Sequence, residues 1–129
     1  MEAKLGRPLE NTRAVTVRDG VAIIPIEGPL MKRASFFDAI SGAVSYAAIA
    51  QDLTAALEDP GVRGVMLSID SPGGQVDGLS DLVAMVRGAS KPVYAHTDGS
   101  MASAAYWLGS AAAKIYASDT AIIGSIGVV

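Results

Sequence analysis

The feature that most constrains the fold is a regular alternation of apolar, strand-like runs with helical stretches. Residues 62–69 form a near-continuous apolar run between turn formers, which is typical of a strand covered on both faces. Residues 46–57 before it and 79–86 after it repeat apolar side chains at helical spacing. A chain that alternates in this way is expected to form a largely parallel sheet with covering helices, which is an α/β fold.

Turn formers and caps set the predicted boundaries. Asp19-Gly20 predicts a hairpin turn, and Ser45 is placed to cap a helix that begins at Tyr46 and ends at Asp59-Pro60-Gly61. Residues 1–14 are expected to be a loose, flexible N-terminal arm, followed by hairpin strands at 15–18 and 21–26 and a loop over 31–45. Short strands are expected at 92–96, 115–117 and 121–123, with a third helix over 102–113.

Composition excludes several classes of function. Half of the 129 residues are hydrophobic, so the chain can bury a core, and the absence of cysteine excludes disulfides, a Cys-ligated zinc site and a thiol nucleophile. A net charge of −3 and an aromatic content of 5% argue against binding to nucleic acid or to an anionic membrane surface. No signal-peptide core or membrane-spanning run is present, so a soluble, cytoplasmic protein is expected.

Two strand-to-helix loops are candidates for chemistry, because ligands bind at the carboxyl ends of strands in parallel sheets. Asp70-Ser71-Pro72-Gly73-Gly74 is either a tight turn or an anion or oxyanion site, since successive glycines let backbone N–H groups approach a ligand. In the second loop, Ser100 or Ser103 precedes a helix of small residues. Either serine could be a simple N-cap, or it could be a nucleophile beside the N–H group of Ala104.

The combination of motifs resembles the signal peptide peptidase A family of serine peptidases. Four motifs carry the resemblance in order and spacing: Ser71-Pro72-Gly73-Gly74; Ala102-Ser103-Ala104-Ala105-Tyr106; Ser110-Ala111-Ala112 with Lys114-Ile115-Tyr116-Ala117; and Gly124-Ser125-Ile126-Gly127-Val128. The likeness runs from about Val21 to the last residue and is greatest to the phage and prophage branch, whose members mature capsid proteins. It implies the fold of Clp protease and the crotonases, a superhelix of β-β-α units.

The resemblance also implies roles for particular residues. Ser103 falls on the nucleophile position, the backbone N–H groups of Gly74 and Ala104 on the oxyanion donors, and Gly73 on the residue that shapes the turn. Gln75, Val76 and Asp77 would lie beside a substrate peptide that adds as an extra strand. Family members often have Gly-Gly after the nucleophile, whereas this chain has Ala104-Ala105, so a pocket there would be narrower.

The general base is the missing part of this prediction, because a serine needs a neighbouring group to accept its proton. The family uses a Ser-Lys dyad, but Lys114 lies about 16 Å along the predicted helix from Ser103 and Lys91 about 20 Å away at the far end of a strand. Lys4 and Lys32 lie outside the motifs. His96, the only histidine, offers a less favoured triad with Asp70 or Asp98.

In the family the lysine follows the Gly-Ser-Ile-Gly-Val strand by several tens of residues. Residues 15–129 are therefore expected to be the N-terminal part of the peptidase domain, truncated at its C-terminal end and inactive alone, unless another copy donates the base. No metal or organic cofactor is expected. The expected partners are a peptide or protein substrate, further copies of the chain and capsid or scaffold proteins.

Two other functions use the same fold. One is a non-catalytic module for oligomerisation or scaffold binding, and the other is acyl-CoA chemistry, which also relies on paired oxyanion N–H groups. Ser-Pro-Gly-Gly followed by a serine at a helix start favours peptide hydrolysis over both.

Overall fold

The computed structural model describes residues 6–31, 44–74, 78–102, 104–118 and 122–124. These ranges contain ten strands and three helices. The strands are β1 (Arg7–Pro8), β2 (Thr16–Arg18), β3 (Val21–Glu27), β4 (Leu30–Met31), β5 (Val44–Ser45), β6 (Gly64–Asp70), β7 (Val93–Thr97), β8 (Ser100–Ala102), β9 (Lys114–Ala117) and β10 (Ile122–Gly124). The helices are α1 (Tyr46–Glu58), α2 (Leu79–Arg87) and α3 (Ala104–Ser110). None of the helices in this part of the chain combines the length and the hydropathy needed to span a membrane.

Six strands form the main sheet in the order β1-β2-β3-β6-β7-β9. The first three pair antiparallel, and β3, β6, β7 and β9 pair parallel, with registers that include Ile24↔Leu67 and Leu67↔Ala95. In the described part of each parallel connection one helix is present, as expected for βαβ units. The α/β class and the largely parallel sheet are therefore confirmed.

The helices cover one face of this sheet. Inward-pointing side chains of the central strands, including Ile24, Leu67 and Ala95, are fully buried, and α1 and α3 pack over them. On the other face, Met66 and Ser68 of β6 are only half-buried. This strand is therefore covered more completely on the face that the helices pack against than on the other face.

The predicted hairpin and first helix are confirmed. Asp19 and Gly20 have φ values of 53° and 82°, the left-handed conformation that a two-residue hairpin turn requires. At α1, the Ser45 hydroxyl accepts a hydrogen bond from the Ala48 N–H group at 3.1 Å, which caps the helix as expected.

The third helix is shorter than its sequence suggests. Residues 100–102 form β8 and pair with β10, so their backbone groups are used in sheet hydrogen bonds instead of a helical turn. At the other end, the Ala113 N–H group donates to the Val93 carbonyl at 2.8 Å, which directs the chain into β9. The prediction of a helix over 102–113 is corrected to Ala104–Ser110.

Residues 6–14, which the sequence assigns to a loose arm, contact the core at several points. β1 pairs with β2, and Leu9 is buried. The Arg13 side chain donates to the Asp52 carboxylate at 2.6 Å and to the Pro25 carbonyl at 2.8 Å, while Asp52 is only 1% exposed. An ion pair with a buried carboxylate and a partly exposed guanidinium group therefore connects this segment to α1, and the bond to Pro25 connects it to β3.

A second, smaller layer of backbone pairing lies beyond the carboxyl ends of the long strands. β4 pairs with β5 and also with Gly74, while Ser71 pairs with Met101 of β8, which pairs in turn with β10. Short strands follow β3 and β7 before the next helix, and Ser71 and Gly74 make isolated bridges after β6, a pattern that matches the β-β-α units that the resemblance implies. This layer brings together the two loops that the sequence singles out.

Candidate active site

Ser71 is the buried centre of the first loop. Its side chain is fully buried, and its hydroxyl donates to the Gly28 carbonyl at 2.6 Å while it accepts a hydrogen bond from the Gly73 N–H group at 3.1 Å. These two bonds join the loop after β3 to the glycine turn after β6. Because the hydroxyl proton is engaged with Gly28, Ser71 serves as a structural connection in this arrangement.

The two glycines after Ser71 meet different steric demands. Gly73 has a φ of 98°, which a residue with a Cβ rarely adopts. Gly74 lies against β4, where the Leu30 N–H group donates to the Gly73 carbonyl at 2.9 Å, and a Cβ on Gly74 would overlap the Leu30 backbone. The sequence therefore needs glycine at both positions for this turn to approach β4.

The first predicted oxyanion donor is the N–H group of Gly74. Within the ranges that the structure describes, it has no hydrogen-bond acceptor, and the residue is exposed. The N–H group of Ala104 lies at the first position of α3, where no intrahelical acceptor exists. Both proposed oxyanion donors are thus backbone groups at the carboxyl edge of the main sheet.

Direct backbone pairing connects the two loops. The Ser71 N–H group donates to the Ser100 carbonyl at 2.8 Å, and the Ala102 N–H group donates to the Ser71 carbonyl at 3.3 Å. β8 therefore runs beside the start of the glycine loop and leads into the position of Ser103. The chain is held on both sides of this position, by β8 before it and by α3 after it.

Asp70 links the same loops through its side chain. One carboxylate oxygen accepts a hydrogen bond from the Ser100 N–H group at 3.0 Å, and the carboxylate also lies against Gly99, where an added Cβ would overlap it. On the other side of this turn, the Gly99 N–H group donates to the buried Thr97 hydroxyl at 3.2 Å. The turn between β7 and β8 is therefore held by side chains on two strands.

Several residues proposed from the sequence lie outside the described residues. Ser103 and the segment Gln75, Val76 and Asp77 are in this group, as are Lys4 and Lys32. Gly73, Gly74 and Ala104 are described, and the pairing of Ser71 with Met101 brings their loops together. The assignments of the nucleophile and of the substrate-binding segment therefore remain predictions.

The described lysines lie far from this edge. Lys91 precedes β7 and donates to the Asp59 carbonyl at 2.8 Å, at the amino end of the strand. Lys114 begins β9, opposite Tyr94 in the register, and its ammonium group lies 5.8 Å from the centre of the Tyr116 ring. Neither is placed to accept a proton from a serine between β8 and α3.

His96 lies on the face of the sheet that the helices leave open, with Ser68 and Tyr116 as its strand neighbours. Among the described residues, no hydrogen bond joins it to Asp70 or Asp98, and the Asp70 carboxylate is engaged with Ser100 instead. The geometry gives no support to the triad alternative.

Sequence reasoning missed the structural roles of Ser71 and Asp70. A serine two residues before a glycine in a turn is a known signal for a hydrogen bond to that glycine's N–H group, and this signal was present. No comparable signal exists for the bond to Gly28, which is 43 residues away in the chain, or for the bond from Ser100 to Asp70, which spans 30 residues.

Comparison with solved structures defines the fold family. The chain is 25% identical to an enoyl-CoA hydratase/isomerase family member, with a TM-score of 0.66 over 92% of this chain and 51% of that chain. A methylmalonyl-CoA decarboxylase gives a TM-score of 0.61 at 18% identity, over 83% of this chain and 45% of that chain. The domain therefore has the crotonase-like fold, as expected.

Sequence comparison shows which proteins this chain resembles. Residues 86–129 match Peptidase family S49. The chain is 40% identical over 118 residues to the head-tail preconnector protein GP5 of Enterobacteria phage P21, which covers 90% of this chain and 24% of that protein. It is 39% identical over 119 residues to capsid assembly protease C of Escherichia phage lambda, which covers 90% of this chain and 27% of that protein. Protease 4 of Salmonella typhi is 38% identical over 73 residues, 54% of this chain and 12% of that protein.

The fold comparison and the family match together describe a crotonase-like fold in which residues 86–129 resemble Peptidase family S49. The similarity to a phage head-tail preconnector protein and to a phage capsid assembly protease confirms the resemblance to the phage branch of the signal peptide peptidase A family. The chain spans about a quarter of the length of these two phage relatives.

Proposed function

We propose that this chain supplies the nucleophile and the oxyanion donors of a serine endopeptidase that cleaves proteins during phage or prophage capsid maturation. One observation carries the proposal. The backbone pairing of Ser71 with Met101 holds the Gly73-Gly74 turn beside the strand that leads to Ser103. The names of the two phage relatives support the setting, since one is a capsid assembly protease and the other a head-tail preconnector protein.

In this proposal, the Ser103 hydroxyl attacks the carbonyl carbon of the scissile peptide bond. A lysine accepts the hydroxyl proton and passes it to the leaving amine, after which water releases the acyl group by the reverse sequence of steps. The N–H groups of Gly74 and Ala104 hold the negative oxygen of each tetrahedral intermediate. Gly73 shapes the turn that points the Gly74 N–H group at this oxygen, because its left-handed φ reverses the chain there.

The substrate is proposed to bind as an extended strand beside Gln75, Val76 and Asp77. These residues directly follow Gly74, which already pairs with β4 in a parallel bridge. A peptide strand added at this position would place one of its carbonyl groups near the Gly74 N–H group.

The general base is proposed to be a lysine that residues 1–129 do not provide. Lys91 and Lys114 lie at the amino ends of their strands, away from the carboxyl edge that holds the glycine turn. The 129-residue chain is accordingly proposed to be inactive alone, unless another copy donates a lysine. Residues 15–129 would then be the N-terminal part of a longer peptidase domain that works as a homo-oligomer in the host cytoplasm or inside a procapsid.

A fluorophosphonate probe tests the nucleophile, because it reacts with activated serines. In the longer protein that includes the lysine, we expect Ser103→Ala to abolish labelling. The matched control is Ser110→Ala, which removes an exposed hydroxyl that donates to the Trp107 carbonyl at 2.7 Å within α3. Equal labelling of wild type and Ser103→Ala would reject the assignment.

The same variant separates the protease from the assembly module. If Ser103→Ala abolishes proteolysis but leaves capsid assembly contacts intact, the chain acts as an enzyme. If neither property changes, the non-catalytic alternative is favoured. The proposal for the isolated chain is tested by comparing labelling rates, since equal rates in the 129-residue chain and the longer protein would show that no external lysine is needed.

A further inference from the structure

We propose that Asp70 is a positioning residue, whose carboxylate fixes the turn between β7 and β8 and thereby the short strand that precedes Ser103 in the chain. This inference rests on the proposed function of Ser103. It assigns a task to a side chain that the mechanism above does not use.

The contacts of the carboxylate carry the inference. Asp70 is the last residue of β6, and one of its oxygens accepts a hydrogen bond from the Ser100 N–H group at 3.0 Å. Ser100 is the first residue of β8 and lies three residues before Ser103. The carboxylate therefore holds the amino end of the short strand that leads to the nucleophile.

The turn between β7 and β8 packs closely against this carboxylate. Gly99 lies against it so closely that a Cβ at this position would overlap the carboxylate carbon and oxygens. The same turn is held from β7 by the hydrogen bond from Gly99 to the buried Thr97 hydroxyl. Thr97 and Asp70 thus fix two successive N–H groups of the turn, those of Gly99 and Ser100.

Asp70 is exposed, which distinguishes it from the buried residues of the site. Its loss is expected to have little effect on global stability, because surface substitutions rarely change stability strongly. Its effect on the site should be larger, since a displacement of about 1 Å in a reacting group can lower a rate by about 100-fold. The predicted signature is a loss of reactivity without a matching loss of stability.

The test compares Asp70→Ala with Asp70→Asn, which retains an acceptor oxygen at the same position. In the longer protein we expect Asp70→Ala to lower the rate of fluorophosphonate labelling by about tenfold and Asp70→Asn to restore most of that rate. Amide hydrogen exchange gives an independent readout. The Ser100 N–H group should exchange faster in Asp70→Ala and close to the wild-type rate in Asp70→Asn. Ser110→Ala is the control for both measurements.

A second pair of variants tests the contact with Gly99. Gly99→Ala should displace the carboxylate and lower the labelling rate about as much as Asp70→Ala does. In the double variant the overlap is removed, so the combined loss should not exceed that of Asp70→Ala alone. Two losses that simply multiply would mean that the residues act independently and would overturn the inference.

The outcomes separate this inference from the proposed function. If Ser103→Ala abolishes labelling but Asp70→Ala reacts as fast as wild type, the positioning role is overturned and the nucleophile assignment stands. If labelling does not depend on Ser103, the proposed function fails and the role of Asp70 fails with it. Unchanged exchange at Ser100 in Asp70→Ala would also overturn the role, whatever the labelling shows.

Discussion

Replacing Ser71 by alanine removes the hydroxyl that joins two loops of the candidate site. This side chain is fully buried and makes two hydrogen bonds, one to the Gly28 carbonyl at 2.6 Å and one from the Gly73 N–H group at 3.1 Å. Alanine fits the same space but offers neither a donor nor an acceptor. The Gly73 N–H group, which belongs to a buried residue, loses its partner.

The expected cost follows from these two contacts. An unpaired buried donor costs about 1–3 kcal/mol, and a typical hydrogen bond contributes about 1 kcal/mol net. Gly28 is only half-buried, so its carbonyl can accept a hydrogen bond from water and adds the smaller amount. We therefore expect Ser71→Ala to lower the free energy of unfolding by about 2–4 kcal/mol.

Urea unfolding followed by far-UV circular dichroism measures this change. Ser110→Ala is the matched control, because it removes an exposed serine hydroxyl bonded to its own helix and should change stability by less than about 0.5 kcal/mol. If Ser71→Ala unfolds at the same urea concentration as Ser110→Ala, the two hydrogen bonds do not stabilise the loop and the reasoning is refuted.

Three further predictions follow from other parts of the structure. Arg13→Ala leaves the buried Asp52 carboxylate without its cation. Urea unfolding should show a free energy of unfolding that is lower by about 2–4 kcal/mol, and a loss below about 1 kcal/mol would contradict a stabilising ion pair. Gly74→Ala should lower the rate of fluorophosphonate labelling in the longer protein by about tenfold or more, because the new methyl group overlaps the Leu30 backbone. An unchanged rate would contradict the placement of the turn. Burial raises the pKa of Tyr46 to about 12, so the folded state favours the neutral phenol. Its contribution to the free energy of unfolding is complete below pH 10 and should fall by about 2–3 kcal/mol as the pH approaches 12. Urea unfolding at pH 9 and pH 11.5 measures this loss, and the Tyr46→Phe variant should not show it.

Local patterns were sufficient for most of the secondary structure. Ser45 caps α1 as its position predicts, and Asp19-Gly20 forms the hairpin turn, because capping and turn formation depend on residues a few positions apart. The boundaries of the third helix were wrong because they depend on distant partners. β8 forms by pairing with Ser71 and β10, and the Ala113 N–H group donates to the Val93 carbonyl instead of continuing the helix.

In the candidate active site, too, local features could be predicted from the sequence and long-range contacts could not. The glycines of the first loop could be predicted, because a left-handed φ and a close backbone approach both require the absence of a Cβ. The hydrogen bond from Ser100 to Asp70 could not be predicted, because it exists only after β6 and β7 have paired and brought their carboxyl ends together.

The sequence by itself determined the order of the long strands and the helices, the position of the glycine turn and the family that the motifs resemble. These are local properties, set by side-chain periodicity and by the backbone freedom of particular residues. Only the tertiary structure decided that α1 and α3 pack on the sheet with α2 against both, that the Ser71 hydroxyl joins the glycine turn to Gly28, and that Asp70 accepts a hydrogen bond from the first residue of β8. The physical reason is that these contacts join residues 30 to 43 positions apart, and only the paired parallel strands bring such residues within hydrogen-bonding distance.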